Sequence, residues 1–387
     1  MPRDFLAKRV ADLKPSGIRK IYDIVAALDD VISLGIGEPD FTTPRPILEA
    51  GIEALQKGET HYTANAGIFP LREAIANYLQ DKYQVRYHPA DEVMVSVGVS
   101  EALYLALTAV INPGDEIIIP TPCFISYQAE VLLAGGAPVE VPGRMENGFQ
   151  PEIELIEKAV TPQTKAIFIG FPCNPTGAVA TRENLLAISR IADRHDLLVI
   201  SDEIYENLVY GVDHVCFASL PGMKERTITL GGFSKSYAMT GWRVGYAAGP
   251  AEIIKGLVRV HQYTVMSAPS VSQLAALAAL NFGAKSAEEM RLKYDQRRKL
   301  MVTRLNEIGL EALMPEGAFY AFARTANSGM DDEVFALRLL EEAGVAVVPG
   351  SAFGAGGKGY VRCSYATKYE LIEEALDRID KFLKTCC

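Results

Sequence analysis

Seven short apolar runs alternate with longer amphipathic stretches over the first two thirds of the chain, and this alternation leaves few architectures open. The runs are EVMVSVG (92–98), DEIIIP (115–120), PVEVP (138–142), KAIFIG (165–170), LLVISD (197–202), RTITLGG (226–232) and VGYAAG (244–249). Most are continuous and rich in β-branched residues, as strands covered on both faces must be. Before and between them lie PLREAIANYLQDKY (70–83), SEALYLALTAVI (100–111) and TRENLLAISRIADRH (181–195), which read as helices. The pattern predicts an α/β fold with a mostly parallel central sheet between helices.

At about 150 residues per domain, 387 residues allow two or three domains. The texture changes after residue 285. A long polar helix, SAEEMRLKYDQRRKLMVTRLNEIG, leads to strand FYAFA, helix EVFALRLLEEAG, strands VAVVPG and YVRCSYA, and a final helix. In that last helix Ile372, Leu376, Ile379 and Leu383 recur at helical spacing and form one core-facing stripe. The expected organisation is a large domain over 46–285, a small α+β domain over 286–387, and an N-terminal arm (1–45) returning to the small domain.

Composition narrows the partners. Lys+Arg 38 against Asp+Glu 48 gives a net charge of −10, which argues against nucleic acid and anionic membranes. No run approaches the roughly 18 apolar residues of a membrane span, and MPRDFLAKRV lacks the apolar stretch of a secretory signal. Cys123, Cys173, Cys216, Cys363, Cys386 and Cys387 are scattered, with no C-x-x-C and no zinc spacing, so no metal site is expected and a reducing, cytoplasmic setting is. Cys386 and Cys387 read as an exposed tail. Gly354, Gly356 and Gly359 spell G-x-G-x-x-G, but a strand follows instead of a helix, so a mobile loop is expected and not a dinucleotide site.

Four stretches carry chemistry when taken together. GGFSKSYAMTGWRVGY (231–246) follows a predicted buried strand, so Lys235 falls at the sheet rim where ligands of open α/β folds bind. Alone, such a lysine reads as a surface side chain; with Ser234 adjacent and Arg243 eight residues on, it suits a Schiff-base cofactor bearing a phosphate. In LLVISDEIY, Asp202 either caps the next helix or pairs with a pyridinium nitrogen, and Tyr205 then donates to a phenolate oxygen. In PCNPTG (172–177), Asn174 is either part of a plain turn or shares that oxygen. In VSVGVSEALYLALTAVI a strand ends at Gly98 and a helix begins around Ser100, either an ordinary connection or an anion site of free N–H groups. Phe124 can stack on a flat ring or simply pack in the core.

These stretches, with LGIGEPDF, HYTANAGIFPLREAI, PEGAFY and VVPGSAFG, resemble the class I/II aminotransferases, pyridoxal-phosphate enzymes of fold type I, over essentially the whole chain. The finer likeness is to the aspartate, alanine and aromatic amino acid aminotransferases of bacteria and archaea. The resemblance implies pyridoxal 5′-phosphate bound covalently to Lys235, which also shuttles the proton of the transfer. It implies Asp202 on the ring nitrogen, Asn174 and Tyr205 on the phenolate oxygen, and Phe124 stacked on the ring. Ser234, Arg243 and the backbone at Gly98, Val99 and Ser100 would hold the phosphate, aided by Tyr62 from the neighbouring subunit of a homodimer. Arg362, with Asn174 and the backbone at Gly37, would grip the substrate α-carboxylate; without the match, Arg362 reads as an arginine paired with a nearby acid.

Two positions depart from the family pattern. Gly232 stands where many relatives carry a hydroxyl residue, and YTVMSAPS (263–270) lacks an arginine for a side-chain carboxylate. Arg259, Arg19 and Arg144 are unsupported candidates for that role. The expected activity is transfer of an amino group from an aromatic, aspartate or alanine-type donor to a 2-oxo acid, with 2-oxoglutarate as the usual acceptor. A β-eliminating lyase on the same fold is the alternative.

Overall fold

The computed structural model describes residues 5–11, 13 and 30–386. The stretch SGIRKIYDI and Arg19 lie outside the described residues, as does Cys387. A seven-stranded sheet forms the centre, in the order β2-β8-β7-β6-β5-β3-β4. Its members are β2 (Val93–Ser96), β3 (Glu116–Thr121), β4 (Ala137–Pro142), β5 (Thr164–Gly170), β6 (Leu198–Asp202), β7 (Thr227–Gly232) and β8 (Gly245–Ala248). Each lies within or beside one of the seven apolar runs. Strand β8 pairs antiparallel with both neighbours, and the other pairings are parallel. The runs did not disclose that reversal, because an antiparallel strand buried on both faces has the same apolar character as a parallel one.

Helices cover both faces of the sheet: α1 (Arg45–Gln56), α2 (Phe69–Tyr83), α3 (Gly98–Val110), α4 (Ser126–Leu133), α5 (Ile153–Ala159), α6 (Arg182–Arg194), α7 (Ala251–Thr264) and α8 (Ser270–Phe282). Helix α6 shows the local logic clearly. Thr181 caps it by accepting the Asn184 N–H, while Leu185, Ile188, Ile191 and Ala192 turn one stripe inward. A 24-residue helix, α9 (Ala284–Glu307), then leads to β9 (Tyr320–Arg324), α10 (Asp332–Ala343), β10 (Val345–Ala346), β11 (Val348–Pro349), β12 (Tyr360–Ser364) and α11 (Tyr369–Cys386). Ile372, Leu376, Ile379 and Leu383 of α11 are all buried, as their spacing requires.

The chain before α1 is tied to these later elements. β1 (Ile32–Ser33) pairs in parallel with β10, and the Ser364 N–H donates to the Leu34 carbonyl. Ile32 and Leu34 thereby join a core with Tyr294, Phe335, Leu339 and Leu376. The glycine-rich segment 354–359 is not the mobile loop expected of it. Ala355 N–H donates to Glu140, Cys123 N–H donates to the Phe353 carbonyl, and a Cβ on Gly356 would lie 2.6 Å from the Thr121 carbonyl oxygen. The glycines there allow close packing against the ends of β3 and β4.

Candidate active site

Strands β5, β6 and β7 run parallel and end level with one another, Gly170 opposite Asp202 and Asp202 opposite Leu230. Asn174, Asp202, Ser234 and Lys235 therefore emerge at one edge of the sheet. There they line a cavity of about 570 Å³ together with Gly37, Val99, Ser100, Phe124, Tyr205, Arg243 and Arg362. The carboxyl ends of the parallel strands share this edge, and the segment after β1 and strand β12 bring Gly37 and Arg362 to it.

Lys235 and Asp202 have the most perturbed chemistry. Burial lowers the Lys235 amine from 10.5 to about 8; Glu38 opposes the shift, while Arg362 and Arg243 add to it. Its Nζ donates to the Gly37 carbonyl at 2.7 Å. Burial raises the Asp202 carboxyl from 3.8 to about 6, against hydrogen bonds from the Tyr127 hydroxyl (2.9 Å) and the Ile204 N–H (3.1 Å). No salt bridge is made by Asp202 among the described residues. A buried carboxylate lacking a cation suits a ligand that brings one.

An anion cup lies beside them. Helix α3 starts at Gly98, two residues earlier than expected, so Ser100 belongs to the first turn and is not its cap. Gly98 has φ +75°, and a Cβ there would stand 2.7 Å from the Arg243 guanidinium. A Cβ on Gly245 would stand 2.7 Å from the Val99 nitrogen, so this glycine lets the helix start sit against β8. Arg243, at φ +54°, donates to the Thr240 carbonyl and lines the cavity with Ser234 and Ser100. First-turn N–H groups have no partner within the helix, and with a guanidinium opposite they make an environment suited to an anion. Gly232 has its own explanation. A Cβ at that position would come within 2.9 Å of Val99 Cγ2 and 3.2 Å of Gly245 Cα, so the valine fills the space a hydroxyl side chain would need.

Across the cavity Arg362 is only 3% exposed. It donates to Asn174 Oδ1 at 2.8 Å and to the Gly35 carbonyl at 2.6 Å, and lies over the Tyr320 ring at 4.4 Å. Among the described residues its Nε–H has no partner and no carboxylate pairs with it. The reading of Arg362 as half of an internal ion pair is thereby overturned, because its fixed contacts are neutral oxygens. Asn174 sits in a turn with cis bonds at Phe171–Pro172 and Asn174–Pro175. The Tyr205 and Tyr320 hydroxyls are 2.8 Å apart, and burial pushes the Tyr205 phenol well above its ordinary range. Phe124 lies edge-on to Tyr127 at 5.7 Å.

Tyr127, Tyr320, Ile36, Glu38 and Leu103 also line the cavity, and the sequence reading did not single them out. PEGAFY was the signal available for Tyr320. Nothing local marks Tyr127, whose importance comes from contact with a residue 75 positions away. Tyr62 is 83% exposed and stands outside the cavity. Arg259 and Arg144 do not line the cavity either; Arg144 pairs with Glu152. Among the described residues, the arginines lining it are Arg243 and Arg362.

The sequence of residues 29–379 matches the family model for aminotransferase class I and II. The aspartate aminotransferase of Pyrococcus abyssi is 50% identical over 382 residues, with 98% of both chains covered. The aromatic-amino-acid aminotransferase 2 of Thermococcus litoralis is 47% identical, with the same coverage. Among solved structures, Thermus thermophilus aspartate aminotransferase with maleate superposes with a TM-score of 0.94 at 40% identity, covering 98% of this chain and 100% of that one. The aromatic aminotransferase from Pyrococcus horikoshii OT3 gives 0.91 at 49% identity, covering 94% and 99%. The cavity at the strand ends is thus carried on a known enzymatic scaffold, and the chain belongs to the class I and II aminotransferases.

Proposed function

We propose that this aminotransferase takes its amino group from an aromatic or alanine-type amino acid ahead of aspartate and delivers it to 2-oxoglutarate. The observation carrying this reading is the lining of the cavity: Ile36, Leu103, Phe124 and Tyr320 supply apolar surface, Glu38 supplies a carboxylate, and both arginines have other work. Enzymes of this family use pyridoxal 5′-phosphate. The residues fit that cofactor on three counts: a buried carboxylate without a cation, an orphaned arginine N–H, and a glycine-walled cup at a helix start.

When bound, the cofactor supplies an aldehyde for covalent attachment and a ring that withdraws electrons. Asp202 would hold the ring nitrogen in its protonated state, with Tyr127 fixing the carboxylate. Asn174 and Tyr205 would bind the phenolate oxygen, and Phe124 would cover one ring face. Ser234, Arg243 and the Gly98–Ser100 backbone would bind the phosphate. Lys235 Nζ would anchor the cofactor and, once released, carry the proton at the substrate α-carbon; an amine lowered to about 8 can act as a base near neutral pH. Arg362 would orient the α-carboxylate through its unpaired N–H, with Asn174 and the backbone at Gly37 beside it.

Two subunits complete the site. Tyr62 and Tyr263, at 83% and 84% exposed, and the exposed Val265 and Met266 are apolar side chains that a second copy could cover, from which Tyr62 would reach the neighbouring phosphate cup. A large domain over 46–285 and a small one over 286–387 joined by the arm fit the start of α9 at Ala284. The five described cysteines are unpaired, which fits a cytoplasmic enzyme. The relatives at 40–50% identity carry aminotransferase names, so β-elimination is not favoured.

The test is a panel of twenty amino acids with 2-oxoglutarate, then one half-reaction without acceptor. Aromatic and small aliphatic donors should give higher kcat/KM than aspartate, and the half-reaction should yield one oxo acid per site. A preference for aspartate would refute the donor assignment; repeated release of ammonia and pyruvate would revive the lyase.

A further inference from the structure

Glu101 and His261 form a buried pair to which none of these roles gives a use. Glu101 lies in the first turn of α3, one residue beyond Ser100, with its side chain 11% exposed. Its Oε2 accepts the Val97 N–H at 2.6 Å, and its Oε1 accepts from His261 Nδ1 at 2.9 Å. His261 is fully buried in the last turn of α7, and among the described residues its Nε2 has no hydrogen-bond partner. An unsatisfied buried nitrogen is unfavourable, so the bond at the other nitrogen matters to the place this ring occupies.

The location gives the pair its meaning. A carboxylate in the first turn of a helix occupies the positive end that a phosphate would also use, and it repels that phosphate. Here both carboxylate oxygens are engaged, one by the N–H of the residue preceding the helix and one by an imidazole from α7. The first bond also fixes the Val97–Gly98 turn, from which the cup's backbone is built. His261 is itself held firmly: its carbonyl accepts the Val265 and Met266 N–H groups at 3.0 Å, and the Met266 carbonyl accepts from the Asn65 amide at 2.8 Å.

We propose that Glu101 and His261 are positioning residues of the phosphate cup. They set the turn at Val97–Gly98 and bind the Glu101 carboxylate so that the helix start is left to the cofactor's phosphate. The inference rests on the phosphate lying between Gly98–Ser100 and Arg243.

The test is made on full-length protein stripped of cofactor and titrated with pyridoxal 5′-phosphate, with pyridoxal, and with inorganic phosphate as competitor. H261A should weaken pyridoxal 5′-phosphate and inorganic phosphate about tenfold, the scale of one hydrogen bond to a charged group, and leave pyridoxal unchanged. Adding E101Q to H261A removes the uncompensated charge and should restore phosphate affinity. Unchanged affinity in H261A would overturn the proposal, as would equal losses for pyridoxal and its phosphate, or no recovery in the double variant. R243A separates the two levels of the argument: if it loses phosphate affinity while H261A does not, only the pair's role fails. If R243A retains that affinity, the cup assignment fails and the pair's role with it.

Discussion

In its proposed role Lys235 attacks a carbonyl and later accepts a proton, and an amine with an ordinary pKa near 10.5 would do neither well at neutral pH. Burial brings it to about 8. The neutral amine is the nucleophile, so attachment of cofactor to the stripped enzyme should accelerate as pH rises and level off above about 8, followed by absorbance. A midpoint near 10 would show that burial is not acting. Asp202 illustrates the opposite sign. Its folded value of about 6 exceeds the ordinary 3.8, so its burial costs stability above pH 6, and the cost fades as pH falls from 6 towards 4. The shift corresponds to about 3 kcal/mol. Without cofactor, Asp202→Asn should therefore melt higher than the parent above pH 6, with the gap closing in acid, and with cofactor present its kcat/KM should fall by about two orders of magnitude. A variant less stable than the parent in the stripped form would show that the carboxylate is not under desolvation strain.

At the scale of elements, the proposed phosphate cup depends on the start of α3. Gly98→Ala places a methyl against the Arg243 guanidinium at a left-handed φ, which should cost about 1 kcal/mol in stability and at least about tenfold in cofactor affinity. Gly232→Ser should also be unfavourable, by about 1–2 kcal/mol, because Val99 occupies the space. Val99→Ala should relieve it, so the two substitutions should couple in a denaturation cycle; additive effects would disprove the crowding. Much of this element-scale arrangement was legible in sequence. Continuous apolar runs mark strands buried on both faces, and Asn174, Asp202 and Lys235 stand at or just after the end of such a run, which places them at the rim. What escaped was tertiary. Tyr127 meets Asp202 across 75 residues, β8 reverses direction without changing its apolar character, and the packing of Gly354–Gly359 depends on contacts 215 and 235 positions away, in β4 and β3. Spacing along the chain carries no signal for such contacts.

At the scale of the whole molecule, exposed Tyr62 bears on how many chains make a site. Mixing Tyr62→Ala subunits with Lys235→Ala subunits should regenerate activity above the sum of the two parents, since each hybrid dimer would contain one site with both residues intact. Activity no greater than that sum would place Tyr62's role, if any, within its own chain. The net charge of −10 conceals a local reversal, with Lys235, Arg243 and Arg362 gathered around one cavity in an otherwise acidic protein. That cavity's organisation around a single amine is the claim on which everything else depends. Borohydride reduction of the holoenzyme followed by peptide mapping tests it most directly. A single pyridoxyl group on Lys235 is predicted; a label on any other lysine, with Lys235 unmodified, would contradict the account.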